Sequence, residues 1–466
     1  MNQDLRSFIQ AFEKEFPEEL IRVSEPVDLE YDIMALVLEY ERRGQHPILF
    51  FDNIKGHQVP VICNLVAGRR SLAKALETPE HRLAEEYSGR LKDYIDPTPV
   101  EDPPFRHVVL KGEDADLARL PIPTYFPGDA GPYLTAGMLV AQHPDTGVVT
   151  EGYHRFQIKG ARKMGCSLHS RRRMFEYLRL YEERGENMPA AVCLGLHPVV
   201  AMGSLSYPPP EVSKFQAVGG LFGEPMEIAK CATLDLHVPA WSEIVIEGEF
   251  LAGAREAEGP FGEFTGYFSA RSTENVFQVN AISMREDAWF QSIASGMAGD
   301  HLTTVGCLRE MEVRNALRKS IPGVKDVHLP NSGCAAFTAF ISIRQTRPGE
   351  AKHAISIALG VDHYLKFVVI VDDDVDVFND SDVIWAMTTR VQADRDLVII
   401  PGALGAILDP SASEQGVTAK LGVDATKPTD DPFAERLQMD TEKMAWARDL
   451  AERLRPPRLQ EVSKAV

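Results

Sequence analysis

Two glutamates lie five residues apart in the segment EGPFGEFTGY, which spans residues 258–267. A glycine-proline pair and a further glycine separate Glu258 from Glu263, and these residues disfavour both a helix and a central strand. We therefore expect a loop that presents both carboxylates to one cavity. One carboxylate can orient a cation while the other, with a raised pKa, donates a proton. The spacing also fits a turn with two solvated acids, the commoner role of such residues.

Arg155 lies in the segment EGYHRFQIKG, residues 151–160, which we expect to form a strand. Successive residues of a strand point to opposite sides, so Tyr153 and Gln157 should share the face of Arg155. An arginine on an inner face is suited to holding a carboxylate through two parallel hydrogen bonds. The alternatives are an exposed strand arginine and, for His154, a structural role.

The charge of the chain argues against nucleic acids and membranes as partners. The 466 residues carry 49 basic and 68 acidic side chains, a net charge of −19. An acidic surface repels phosphate backbones and anionic lipids. A carboxylic acid substrate then needs a local cluster of positive charge.

Cysteines and termini indicate a cytoplasmic protein. The six cysteines are scattered without a CxxC pair, so zinc-ribbon and thioredoxin-like sites are not expected. The start MNQDLRSFIQ does not resemble a signal peptide, and we therefore expect no disulfides. No apolar run reaches the length of about 18 residues that a spanning helix needs.

The elements that must position these residues fall into three regions and predict an α/β (α+β multidomain) fold. Residues 1–104 mix helical and strand patterns and end in a proline-rich linker at 95–105. Residues 105–298 contain short apolar runs bounded by Gly and Pro, typical of a sheet or barrel. Residues 299–466 alternate helix and strand, which predicts a mainly parallel sheet and a helical tail. Asp380 or Ser381 is a plausible cap of one helix there.

Five segments in order resemble the UbiD-like family of decarboxylases. They are LPIPTYFPGDAGPYLTAG (120–137), KCATLDLHVPAWSEIVIEGEF (230–250), EGPFGEFTGY (258–267), LKFVVIVDDDVDVFNDSDVIWAMTTR (365–390) and AKLGVDAT (419–426). The resemblance implies an N-terminal α/β domain, a central flavin-binding split β-barrel and a C-terminal α/β domain that mediates oligomerisation. It also implies prenylated FMN as cofactor and places the family's catalytic Glu-Arg-Glu set on Glu258, Arg155 and Glu263.

The resemblance further implies a set of cofactor-binding residues, in which this chain departs from the family. The set is Thr150, His154, Arg172, Ser204, Lys214 and Lys366, with Ser204 in a loop that also binds potassium in the family. Relatives hold a divalent metal such as manganese through Asn, His and Glu, where this chain has Thr150, Arg172 and Lys214. We therefore predict no metal ligand at these positions, with His169 and Glu211 as an alternative, displaced metal site.

The activity that the resemblance implies is the non-oxidative decarboxylation of an α,β-unsaturated or (hetero)aromatic carboxylic acid. A flavin prenyltransferase would supply the cofactor, and a homodimer or hexamer is expected. Two other functions stay open: that of a conventional FMN-dependent oxidoreductase, and that of a non-catalytic family member that lost its metal site. The sequence leaves the individual acid and the choice between dimer and hexamer open.

Overall fold

The computed structural model describes residues 2–168 and 172–454. Its helices are α1 (Leu5–Glu15), α2 (Asp32–Arg42), α3 (Arg69–Ala75), α4 (Leu83–Arg90), α5 (Arg173–Glu183), α6 (Pro198–Ser204), α7 (Lys214–Phe222), α8 (Gly299–Arg318), α9 (Glu350–Val361), α10 (Asp380–Arg390) and α11 (Thr441–Arg453). Its strands are β1 (Leu20–Val23), β2 (Ile48–Phe51), β3 (Val61–Cys63), β4 (Thr98–Pro99), β5 (Val108–Lys111), β6 (Tyr133–Gln142), β7 (Val149–Gly160), β8 (Lys163–Cys166), β9 (Met188–Leu194), β10 (Glu227–Lys230), β11 (His237–Pro239), β12 (Ile244–Glu258), β13 (Ser272–Met284), β14 (Phe290–Gln291), β15 (Val324–His328), β16 (Thr338–Ile343), β17 (Phe367–Asp372), β18 (Leu397–Leu404) and β19 (Val417–Ala425).

The N-terminal sheet has the strand order β1-β2-β3-β14 and is covered on both faces. Helix α1 buries an apolar stripe from Leu5 to Phe12 in the same cluster as Phe50. Helix α2 buries Ile33 in the cluster that contains Phe51. Neighbouring residues of a strand face opposite sides, so the two helices cover opposite faces, which is why all of β2 is buried.

A six-stranded barrel lies at the centre of the chain. Its strand order is β12-β9-β6-β7-β8-β13, and β12 pairs with β13 to close it. The side chains of β6 alternate between two clusters: Leu139 and Ala141 fill the barrel, whereas Met138 and Val140 face α6 and α7 outside it. Glu258 is the last residue of β12 rather than part of a loop as predicted, because pairing with β13 continues to that residue.

The C-terminal sheet has the order β15-β16-β17-β19-β18 and is mixed. The inner pairings β16–β17 and β17–β19 are parallel, but both outer pairings are antiparallel. The prediction of a mainly parallel sheet is therefore correct for the inner strands and wrong for the outer ones. Helices α9 and α10 bury their apolar faces in different clusters on this sheet. Asn379, not Asp380 or Ser381, caps α10, since its side chain accepts from the Ser381 N–H at 3.1 Å.

Helix α8 connects the barrel to the C-terminal sheet and contacts the N-terminal region along its length. At its start, the buried carboxylate of Asp300 accepts from the backbone N–H of Asn64 at 2.9 Å. Further along, Glu310 binds Arg69 at 2.8 Å and His328 at 2.7 Å. Each α/β layer is therefore tied to the same helix.

Three simpler expectations can be compared with the structure. The six cysteines are unpaired, which confirms the expected lack of disulfides. The segment 95–105 is not only a linker, because β4 pairs in parallel with β10. Among the described residues, none of the helices is both long and apolar enough to cross a bilayer.

Candidate active site

Arg155 lies between two carboxylates. It projects from β7, while Glu258 ends β12 and Glu263 follows in the next loop. Nε and Nη2 of Arg155 each donate to one carboxylate oxygen of Glu258 at 3.0 Å. Nη1 donates to Oε1 of Glu263. The side chain of Glu258 is fully buried, and those of Arg155 and Glu263 are 19% and 7% exposed. The structure thus brings together the three residues predicted as catalytic.

The loop that carries Glu263 is fixed by Asp129. One carboxylate oxygen of Asp129 accepts from the Gly262 N–H at 2.8 Å and the other from the Phe126 N–H at 2.9 Å. Within the loop, the Glu263 N–H donates to the Tyr267 carbonyl at 2.9 Å. A Cβ on residue 262 would lie 2.6 Å from the Phe126 ring, so only glycine allows this approach. Glu263 is therefore held on a defined turn.

Burial sets the acid–base character of the group. It raises the pKa of Glu263 above the ordinary carboxyl value, although the charge and hydrogen bond of Arg155 oppose the shift. Burial lowers the pKa of Arg155, but the hydrogen bond and charge of Glu258 and the charge of Glu263 raise it, so the guanidinium stays charged. The Phe261 ring centroid lies 5.0 Å from the guanidinium carbon and adds a cation–π contact. The site thus offers a fixed cation beside an acid that holds its proton more strongly than an exposed one.

A second group of predicted residues forms a positively charged region. Lys214 is the first residue of α7, and its Nζ donates to the backbone carbonyl of Ser204 at the end of α6. Arg172 precedes α5, and its guanidinium carbon lies 4.6 Å from the Tyr207 ring centroid. The two cations act on each other, because the charge of Arg172 lowers the pKa of Lys214. An anion placed here would relieve that repulsion.

Strand β7 connects this region to Arg155. Thr150 is buried on β7 five residues before Arg155, a separation of about 16 Å at the strand rise of ~3.3 Å per residue. His154 is half-buried opposite Gly137 on β6. The candidate site is therefore elongated, with a carboxylate-bound arginine at one end and two cations towards the other.

The sequence interpretation missed Glu151, the residue after Thr150. Its side chain is buried on β7, and the charge of Lys214 lowers a pKa that burial raises. The available signal was its place four residues before Arg155, on the same side of the strand. From the sequence alone, an acid at that position is expected to contact solvent, because its burial depends on the distant helices α6 and α7.

Lys366 directly precedes β17 of the C-terminal sheet. Its Nζ donates to Asp409 at 2.8 Å and to the Ser411 hydroxyl at 2.5 Å. Its backbone N–H donates to the Phe337 carbonyl at 2.8 Å, and the Phe337 ring lies 5.5 Å from Phe264, the neighbour of Glu263. The C-terminal sheet thus meets the catalytic loop through an aromatic pair.

Two of the three positions predicted to lack a metal ligand, Arg172 and Lys214, carry cationic side chains. Within residues 2–168 and 172–454, no three His, Cys, Asp or Glu side chains are grouped to hold a metal ion. Of the alternative ligands, Glu211 is exposed and His169 lies outside the described residues. Neither a protonated Lys214 nor Arg172 can coordinate a metal.

Comparison with known proteins agrees with this architecture. Models of the N-terminal, Rift-related and C-terminal domains of 3-octaprenyl-4-hydroxybenzoate carboxy-lyase match residues 12–91, 98–298 and 302–425. The barrel with its flanking sheets is thus that of a carboxy-lyase. Anhydromevalonate phosphate decarboxylase from Methanothermobacter thermautotrophicus is 32% identical over 412 residues, which cover 88% of this chain and 95% of that protein.

Solved structures give the same result. The UbiD-class enzyme HmfF from Pelotomaculum thermopropionicum, in complex with FMN, is 34% identical with a TM-score of 0.90 over 95% of this chain and 99% of HmfF. An evolved dimeric form of HmfF with prFMN has a TM-score of 0.86 at 32% identity, over 95% of this chain and 98% of that one. The 3,4-dihydroxybenzoic acid decarboxylase AroY from Klebsiella pneumoniae has a TM-score of 0.88 at 28% identity, over 96% and 99%. The chain belongs to the UbiD family of decarboxylases.

Proposed function

We propose that this protein decarboxylates an α,β-unsaturated or (hetero)aromatic carboxylic acid with prenylated FMN as cofactor. The contact of Arg155 with Glu258 and Glu263 carries the proposal, because it combines a carboxylate-binding cation with a buried acid. Decarboxylases among the relatives act on 3,4-dihydroxybenzoic acid and anhydromevalonate phosphate, according to their names. These names support an unsaturated or aromatic acid as the substrate of this chain.

The residues of the elongated site suit a flavin nucleotide. Arg172 and Lys214 would hold its phosphate, with Ser204 supporting Lys214, and Thr150, His154 and Lys366 complete the proposed cofactor-binding set. HmfF, one of the relatives with a similar fold, was solved with FMN and in an evolved form with prFMN. When bound, prenylated FMN supplies the electron sink that loss of carbon dioxide from an sp2 carbon requires.

The chain's own residues then bind the acid and move one proton. Arg155 binds the substrate carboxylate, and Glu258 fixes the orientation of that guanidinium through two hydrogen bonds. The bond between the carboxyl carbon and the sp2 carbon breaks and carbon dioxide leaves. Glu263 transfers the proton of its carboxyl group to the carbon left behind and takes up another from water.

Co-expression with a flavin prenyltransferase tests this function. The holo-protein should carry a flavin of increased mass and altered absorption, and it should release carbon dioxide from members of an aromatic and unsaturated acid panel. Protein expressed without the prenyltransferase is the control and should be inactive. Oxidised-flavin absorption with reduction by a nicotinamide would point to an oxidoreductase. A folded holo-protein that releases no carbon dioxide would be a non-catalytic member.

We further propose a cytoplasmic, homo-oligomeric protein, with the prenyltransferase as cofactor supplier. Six unpaired cysteines support a reducing compartment. Oligomerisation is supported by the apolar edge of the C-terminal sheet, where β18 pairs on one side only.

A further inference from the structure

A buried acid and a half-buried lysine interact at the first turn of α7. Glu151 is 2% exposed on β7, and neither of its carboxylate oxygens has a hydrogen-bond partner in the described part of the chain. The carboxylate and the ammonium of Lys214 interact electrostatically. An unsatisfied buried carboxylate lowers the stability of the folded protein. A role in ligand binding therefore explains this pair better than a role in stability.

Lys214 is anchored at the joint between α6 and α7. Its Nζ donates to the Ser204 carbonyl, and Ser213 fixes the start of α7 through a capping box with Gln216. An ammonium group carries three N–H donors, so one bond to Ser204 leaves donors for a ligand. The lysine is thus a positioned cation rather than a mobile surface charge.

Arg172 brings a second cation to the same place. Its guanidinium is half-buried over Tyr207, and its charge reaches Lys214. Two further cations, Arg173 and Arg309, are matched by the carboxylates of Glu312 and Asp362. Lys214 and Arg172 therefore leave a local surplus of positive charge even against Glu151, inside a chain whose net charge is −19. Such a surplus fits an anion with several acceptor oxygens.

We propose that Lys214 and Arg172 bind the cofactor phosphate directly, without a divalent metal. The ligand's identity as a flavin phosphate rests on the proposed function. The side chains of Lys214 and Arg172 leave a metal without ligands, since protonated lysine and arginine cannot coordinate one. Burial lowers the pKa of Lys214 to about 8, with Glu151 opposing the shift, so the ammonium form still prevails at neutral pH.

Binding of FMN and of riboflavin, which lacks the phosphate, tests the proposal independently of decarboxylation. Purified protein should bind FMN equally well with EDTA or with added manganese, and metal analysis should find no stoichiometric divalent ion. Lys214→Met should lower the ratio of FMN to riboflavin affinity by about tenfold or more, because a charge-assisted hydrogen bond to phosphate is lost. Lys214→Glu should lower the ratio further, since it places like charge beside the phosphate.

Two variants make the test decisive. Glu151→Gln/Lys214→Met removes both ionisable groups of the pair and should keep the wild-type melting temperature while still losing preference for FMN. Lys230→Met removes a lysine from an exposed ion pair with Asp235 and should bind FMN as wild type does. Release of FMN by EDTA, failure to bind FMN without metal, or wild-type FMN preference in the folded double variant would each overturn direct phosphate binding. Metal-free FMN binding without carbon dioxide release would overturn only the proposed function.

Discussion

The N–H donors of the Arg155 guanidinium differ in how firmly their partners are held. Nε and Nη2 are both occupied by the fully buried Glu258, whereas Nη1 points to Glu263 on a loop. An incoming carboxylate therefore competes with Glu263 for Nη1 more readily than with Glu258. Displacing Glu263 from Arg155 removes the charge that holds its pKa down, so substrate binding itself favours the protonated acid.

Replacing Arg155 by lysine tests whether the planar set of donors is needed. Arg155→Lys keeps a positive charge but loses the planar set of donors that contacts both carboxylates. We expect a large loss of kcat with little change in melting temperature. Steady-state rates and thermal unfolding of the same preparation check it, and full activity would show that the planar geometry is not needed.

Glu263 should act as the proton donor. Glu263→Gln keeps the shape but removes the transferable proton, so the rate should fall by about a hundredfold or more. Burial raises the pKa of Glu263, and because the protonated form is needed, the wild-type rate should decline as pH rises through that pKa. The residual rate of Glu263→Gln should lack this decline. Retained flavin absorption is the control for folding, and a rate within a few-fold of wild type would remove Glu263 from the mechanism.

At this scale the sequence predicted the catalytic group but not its surroundings. Arg155, Glu258 and Glu263 stand in segments whose composition is unusual and whose order matches a family. Glu151 could not be predicted, because an acid in a strand becomes buried only when distant helices cover it. The placement of Asp129 under Gly262 likewise depends on contacts between segments more than a hundred residues apart.

Helix α6 depends on an uncharged histidine at its start. Nδ1 of His197 accepts from the Val199 N–H at 3.2 Å, and the ring packs between Phe8 and Phe222 at centroid distances of 5.3 and 5.4 Å. Burial, and to a lesser degree the positive charge of the N-terminus, lower the pKa of His197 to about 3. Protonation would charge a buried ring and remove the cap acceptor.

The stability of the protein should therefore depend on pH through this residue. The pKa of an unfolded histidine is about 6.5, so the unfolded state binds the extra proton between that value and the folded pKa. Stability from this source is present above about pH 6.5 and should fall by about 2 kcal/mol between about pH 7 and about pH 5. His197→Asn keeps a cap acceptor without titrating. Urea unfolding should give a shallower pH dependence for the variant; equal slopes would exclude His197.

The elements themselves were predictable where periodicity is strong. The strand that carries Arg155 follows a local pattern and was expected. The closure of the barrel was not predictable in the same way. Local propensity predicts that β12 and β13 are strands, but it does not predict that they pair with each other. The same reason explains why Glu258 was assigned to a loop.

At the scale of the molecule, the edge of the C-terminal sheet is apolar. On β18, Ile399 is 66% exposed, and Ile407 just beyond it is 72% exposed. An apolar edge strand left in water is prone to association, so we expect this surface to lie between copies of the chain. Ile399→Lys/Ile407→Lys should shift the species seen by light scattering to a lower mass. Leu38→Lys, on α2 with a 43% exposed side chain, is the control, and an unchanged mass in the double variant would place the interface elsewhere.

The short strand β14 has a consequence for how the chain is made. Phe290–Gln291 pairs in parallel with β3 and so completes a sheet whose first strand starts at Leu20. While the ribosome is still making the barrel, β3 therefore stands with an open edge, able to pair with other nascent chains. Every product that ends before Phe290 keeps that open edge permanently, so premature termination should yield aggregates rather than a soluble N-terminal fragment.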